Sequence, residues 1–174
     1  IPQYLKLGLK ARAGADYAIT QVGYDARRQH ELLRWMQRTG IDLPVIANAY
    51  ILDRGVARAF HAGRVPGCVV SDALLAVVEE RAGSPDKGRA FFLEFAAKQM
   101  IVARGLGFRG IYLSGHRDAA EVARILELAD SHDPADWRAL VGDVSWPEPG
   151  AFHAFGADEV GLASAEPDRR YAAS

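Results

Sequence analysis

The stretch Ala13-Gly14-Ala15-Asp16-Tyr17-Ala18-Ile19-Thr20-Gln21-Val22-Gly23-Tyr24-Asp25 decides how this chain is read. A helical pattern arrives from Gln3, and Gly14 stands where a left-handed C-terminal cap is wanted. The apolar run from Tyr17 to Val22 then predicts a buried strand. That strand ends on a polar carboxamide, Gln21, at the position where parallel α/β enzymes hold their ligands.

Downstream the same alternation repeats. Residues Ala26 to Arg38 carry Leu32, Leu33, Trp35 and Met36 among Arg and Glu, close at Gly40, and lead into a second buried strand, Leu43-Pro44-Val45-Ile46-Ala47. Strand, helix and strand at this spacing predict parallel pairing. Asp53 is placed to cap a short helix through Phe60, and Ser71 another to about Glu80. Ser84-Pro85 reads as a cap with proline at the first helical position, opening a long helix to Gly105 that carries Phe91, Phe92, Phe95, Met100 and Ile101. Gly107 to Ser114 reads as a third short strand, followed by a helix from near Asp118 to Leu128. Asp133-Pro134 can cap a last short helix, and Trp146 to Ser174, rich in Pro, Gly and Ala, reads as an irregular C-terminal extension. The organisation expected is therefore αβ units over residues 1–130 and a short helix plus extension over 131–174. Taken alone, the pattern fits either a doubly wound sheet or part of a (β/α)8 barrel.

Composition narrows the partners. The chain has 174 residues, near-half apolar content and a formal net charge of −1, with no basic patch, so no nucleic acid or anionic membrane partner is expected. No apolar stretch reaches the roughly twenty residues needed to span a bilayer. The lone Cys68 has no partner for a disulfide or zinc site, which fits a reducing cytoplasm and a structural thiol. His30, His61, His116, His132 and His153 fall at no metal-ligand spacing and are expected at the surface, with no metal site. Glu94 and Lys98 form a favourably ordered surface pair. Gly105-Leu106-Gly107-Phe108-Arg109-Gly110 fits Gly-x-Gly-x-x-Gly, but it follows a helix and opens a strand, the reverse of the dinucleotide-binding context.

The segment from Gly14 to Asp25 resembles the strand of methylenetetrahydrofolate reductases that reads Ala-Gly-Ala-Asp/Asn, a few apolar residues, Ile-Thr-Gln, then an aromatic and an acid. Two weaker anchors accompany it: the strand after Gly40-Ile41-Asp42, and the strand with Tyr112 after a long helix. The resemblance covers roughly Tyr4 to Leu128. It implies α/β architecture, the C-terminal portion of a (β/α)8 TIM barrel with about three parallel strands and their helices, the first five strands being expected upstream. Ile1 in place of methionine agrees with a fragment.

The resemblance also implies an activity: reduction of 5,10-methylenetetrahydrofolate to 5-methyltetrahydrofolate, with FAD carrying hydride from NAD(P)H. Gln21 matches the family glutamine that binds the pterin, since a carboxamide offers a heterocycle edge both donor and acceptor; the alternative is a strand-end amide that satisfies loop backbone. Lys10 matches a lysine near the flavin phosphates, or is a solvated helix residue. Ile19 matches a residue packing near the flavin, or is an ordinary strand aliphatic. Tyr112 matches the tyrosine of the family's final strand, close to the flavin, or fills the barrel mouth. Phe60 lies near an aromatic that stacks folate or nicotinamide. The family's Pro-Gly-Ile-x-Pro loop is replaced here by Ala47-Asn48-Ala49-Tyr50-Ile51, where Asn48 and Tyr50 supply replacement contacts or simply turn the chain. The family's general acid belongs to a strand outside this segment, so no catalytic residue is assigned. Trp146-Pro147-Glu148-Pro149-Gly150-Ala151-Phe152 is read as a docking strip or a strap. A non-catalytic folate-binding or interaction subunit and an unrelated (β/α)8 enzyme are the rival readings, and homo-oligomerisation is left open.

Overall fold

Four helices start where the sequence places a polar cap. Asp25, Asp53, Ser71 and Asp118 each accept a hydrogen bond from the backbone N–H three residues ahead, at 2.8–3.3 Å. The computed structural model describes residues 2–169. In chain order the elements are α1 (Pro2–Arg12), β1 (Ala18–Ile19), α2 (Ala26–Thr39), β2 (Val45–Tyr50), α3 (Arg54–His61), α4 (Asp72–Arg81), α5 (Arg89–Leu106), β3 (Gly110–Ser114), α6 (Ala119–Asp130), a 3-10 helix (Pro134–Leu140), α7 (Val141–Val144), β4 (Phe155–Ala157) and β5 (Ala163–Pro167). Gly14 and Gly40 end α1 and α2 with φ of 92° and 66°, the left-handed backbone that glycine adopts without strain.

The protein is mixed α/β. Its main sheet has three parallel strands in the order β1-β2-β3. Along β2 burial alternates: Val45, Ala47 and Ala49 are buried, while Ile46, Asn48 and Tyr50 are partly exposed. Val45 and Ala47 pack with Met36 of α2 and Ala103 of α5, so the helices that follow β1 and precede β3 cover the same face. Ala49 joins the larger core, which contains Phe92 and Phe95 of α5, Leu74 of α4 and Ile125 of α6. None of the helices among the described residues is long and apolar enough to cross a membrane.

The structure corrects four of the elements read from the sequence. The first strand is a two-residue edge strand, not a buried one: Ile19 is 48% exposed and Tyr17 57%, because β1 has a neighbour on one side only. The second strand runs on to Tyr50, since every residue from Ile46 to Tyr50 pairs with β3, so Asn48 and Tyr50 belong to the sheet and do not form a turn. The long helix starts at Arg89. Ser84 and Asp86 both accept from Gly88 N–H and Asp86 also accepts from Ala90 N–H, which makes Ser84-Pro85-Asp86 a turn that caps the helix from outside. The extension is not irregular throughout, because β4 and β5 form an antiparallel hairpin.

Candidate functional site

Register fixes what shares the uncovered face of the sheet. Ile19 lies beside Ile46, and Ile46 beside Gly110; Asn48 lies beside Tyr112, and Tyr50 beside Ser114. Paired residues of a parallel sheet point to the same side, so this face carries Ile19, Ile46, Asn48 and Tyr112. Tyr112 is 51% exposed. Gln21, two residues past Ile19 and exposed, continues the same alternation at the C-terminal end of β1. Ser114 Oγ donates to Asn48 Oδ1 at 2.9 Å across β2 and β3.

A cleft of about 730 Å³ runs along β1. Lys6 and Lys10 of α1, the strand itself with Tyr17, Ile19 and Gln21, the start of α2 with Asp25 and Arg28, Gly67 and Val69 of the loop after α3, and Trp146 to Glu148 line it. The cleft therefore joins three of the five predicted site residues, Lys10, Ile19 and Gln21. Tyr112 lies two strands away on the open face and does not line it. Phe60, expected to stack a ligand, is 7% exposed and packs edge-on against Tyr50 at 5.5 Å between ring centroids. It is a core residue, because α3 turns Ala57 and Phe60 inward on one side.

Gln21 is already engaged. Its Oε1 accepts from Val22 N–H at 3.0 Å and its Nε2 donates to Pro66 O at 3.3 Å. A carboxamide has two hydrogens and two lone pairs, so one donor and one acceptor position remain for a ligand. The backbone contacts orient the group and tie it to the loop carrying Gly67.

The C-terminal segment, read from the sequence as a docking strip or a strap, lines one side of the cleft. Trp146 N–H donates to Tyr24 O, and Ser145 Oγ accepts from Ala26 N–H at 3.1 Å. Ala151 N–H donates to Glu148 O, with Gly150 at φ 74°, which makes Glu148-Pro149-Gly150-Ala151 a tight turn at the cleft. Beyond it, the segment is fastened to α2 through buried polar groups. His153, expected at the surface, is 5% exposed, its Nε2 2.9 Å from Asp25 Oδ2. Glu31 accepts Phe155 N–H at 2.8 Å; burial pushes its carboxyl up, opposed by that backbone bond and by His153 and Arg27. Arg27 donates to Phe155 O and pairs with Asp168 at 3.1 Å. Of the two readings of this segment, a strap fits these contacts.

At the other end of the open face, Arg89 holds Glu121 with two guanidinium hydrogen bonds and also donates to Gly115 O at 3.2 Å. The guanidinium keeps the Glu121 carboxyl down at about 2. This bracket fixes the turn that follows β3. Lys98 reaches both Glu94, at 3.0 Å, and Asp143 of α7, at 2.8 Å, so the surface pair also ties two helices together. Cys68 is buried, and burial pushes its thiol up. Among the described residues no group of three or more His, Cys, Asp and Glu is placed to hold a metal ion. Comparison with protein-family models and with curated proteins gave no match for this chain.

Proposed function

We propose that this chain is the C-terminal part of a methylenetetrahydrofolate reductase-like (β/α)8 flavin oxidoreductase, in which Gln21 binds the pterin of the folate. The observation that carries the reading is the placement of Gln21 at the C-terminal end of a parallel edge strand, on the uncovered sheet face that also bears Asn48 and Tyr112. Two features favour a barrel over a doubly wound sheet. The strands keep sequential order, with no reversal at a switch point, and α2 and α5 lie on one face, as in a sheet whose helices form an outer ring. The open face and the unpaired edge of β1 are then the sides that meet the rest of the barrel.

The residues present fit a flavin to this extent: Ile19 and Tyr112 offer half-exposed apolar surface to a planar ring, and Lys10 offers an ammonium to a phosphate. FAD, when bound, supplies the hydride relay from NAD(P)H to the folate. This chain contributes one wall and part of the binding groups, and the catalytic acid belongs to the remainder of the barrel.

The test is equilibrium binding by the full-length protein. Gln21→Ala should weaken folate affinity about tenfold, the scale of a lost buried hydrogen-bonding partner, while flavin content stays at the wild-type level. Lys10→Ala should lower flavin content and leave folate affinity nearly unchanged. Unaltered folate binding in Gln21→Ala removes the reading, and a protein that binds folate but never flavin points to the non-catalytic folate-binding subunit.

A further inference from the structure

Asn48 is a polar residue that the sheet itself does not require. Asparagine is depleted in strands, yet β2 holds one in its middle, beside Tyr112 in register and facing the uncovered side. Its backbone N–H is already satisfied by Thr20 Oγ1 at 3.0 Å. Its side-chain oxygen is satisfied too, by the Ser114 hydroxyl. What remains is Nδ2 with both hydrogens, half-buried and without a hydrogen-bond partner among the described residues. The β1–β2 pairing ends at Ile19 and Ile46, but Thr20 still reaches Asn48 through its hydroxyl, and Gln21 is the next residue of the chain. Asn48 and Tyr112 are therefore paired on the open face, with Gln21 one residue beyond the Thr20 that touches Asn48.

We propose that Asn48 is a specificity-determining contact, whose Nδ2 donates to an acceptor on the ring that Gln21 grips, and that Ser114 is a positioning residue holding the amide in that orientation. The ligand class is an oxo-substituted heterocycle, with a carbonyl oxygen or an unprotonated ring nitrogen facing β2. The inference rests on the folate-binding reading above and assigns a residue where this chain departs from the family's Pro-Gly-Ile loop. A rigid donor placed against a ring acceptor discriminates strongly, because a ring presenting N–H there leaves two donors facing each other in a half-buried site.

The experiment is calorimetric titration of the full-length protein with 5-methyltetrahydrofolate, on variants whose thermal unfolding matches the wild type. Asn48→Asp keeps the shape but sets an acceptor against the ring acceptor, and should raise Kd about tenfold or more. Ser114→Ala should raise it about threefold by releasing the amide, and Ser114→Thr, which keeps the hydroxyl, should restore it. If Asn48→Asp does not fold, Asn48→Ala takes its place with the same expected loss. Wild-type binding with an Asn48 variant inside about twofold overturns this inference alone, hydrogen bonds being worth more than that. Equal Kd for Ser114→Ala and wild type overturns the positioning role. A wild type that binds no folate overturns the reading on which the inference stands.

Discussion

The two faces of β2 are made of the same six residues and do opposite work. Val45 and Ala47 are buried under α2 and α5, and Ala49 in the larger core with α4, α5 and α6, all small enough to let the helices approach. Ile46 and Asn48 look the other way, towards a surface that also bears Ile19 and Tyr112, while Tyr50 at the end of that side packs against Phe60. Parallel sheets ordinarily have both faces covered, so the contrast separates what holds the chain together from what it presents. Stability should concentrate on the first face, and binding on the second.

The largest effect that tests this division is Phe92→Ala. Phe92 is 1% exposed in the core above the covered face, and its truncation should cost about 3–5 kcal/mol in urea unfolding. Glu121→Gln comes next and sharpens the comparison at the rim of the open face. The carboxyl of Glu121 is lowered from 4.5 to about 2, so its contribution is full above 4.5 and is lost as pH falls towards 2. The variant should be less stable than wild type at pH 7, and the two unfolding curves should converge near pH 2.

A smaller effect belongs to the strap. Glu31→Leu leaves Phe155 N–H without its acceptor and should cost about 1 kcal/mol, with faster proteolysis between Trp146 and Phe155 and unchanged protection of α5. Smallest of all is Tyr112→Ala, which should change stability by no more than about 0.5 kcal/mol although it removes a large aromatic ring. A loss as large as that of Phe92→Ala would break the contrast between the faces.

Local chemistry was readable from the sequence. Caps at Asp53, Ser71 and Asp133 and glycine stops at Gly14 and Gly40 involve neighbours within a few residues, and each appears where its motif stands. Features set by distant partners were not. β2 continues through Ala47-Asn48-Ala49, a poor strand sequence, because β3 pairs with it some 64 residues away in register. Ser84-Pro85 carries the signature of a helix start, but the Ser84 hydroxyl bonds Arg81 O and Asp86 and closes a turn before the helix begins. The hairpin of β4 and β5 has no alternating pattern, and α2 holds it through Arg27 and Glu31 across more than a hundred residues of chain. In the site, Gln21 was legible as a polar residue closing an apolar strand; its tie to Pro66, the Asn48–Ser114 bond and the burial of His153 all depend on contacts that no local pattern encodes.

The most direct measurement follows the side-chain amide resonances of Gln21 and Asn48 while the full-length protein is titrated with 5-methyltetrahydrofolate. Both should shift saturably with a single Kd, while the side-chain amide of Gln37, exposed on α2, stays in place. Saturable binding that leaves both Gln21 and Asn48 unmoved would contradict the claim that the uncovered face of the sheet is the binding face.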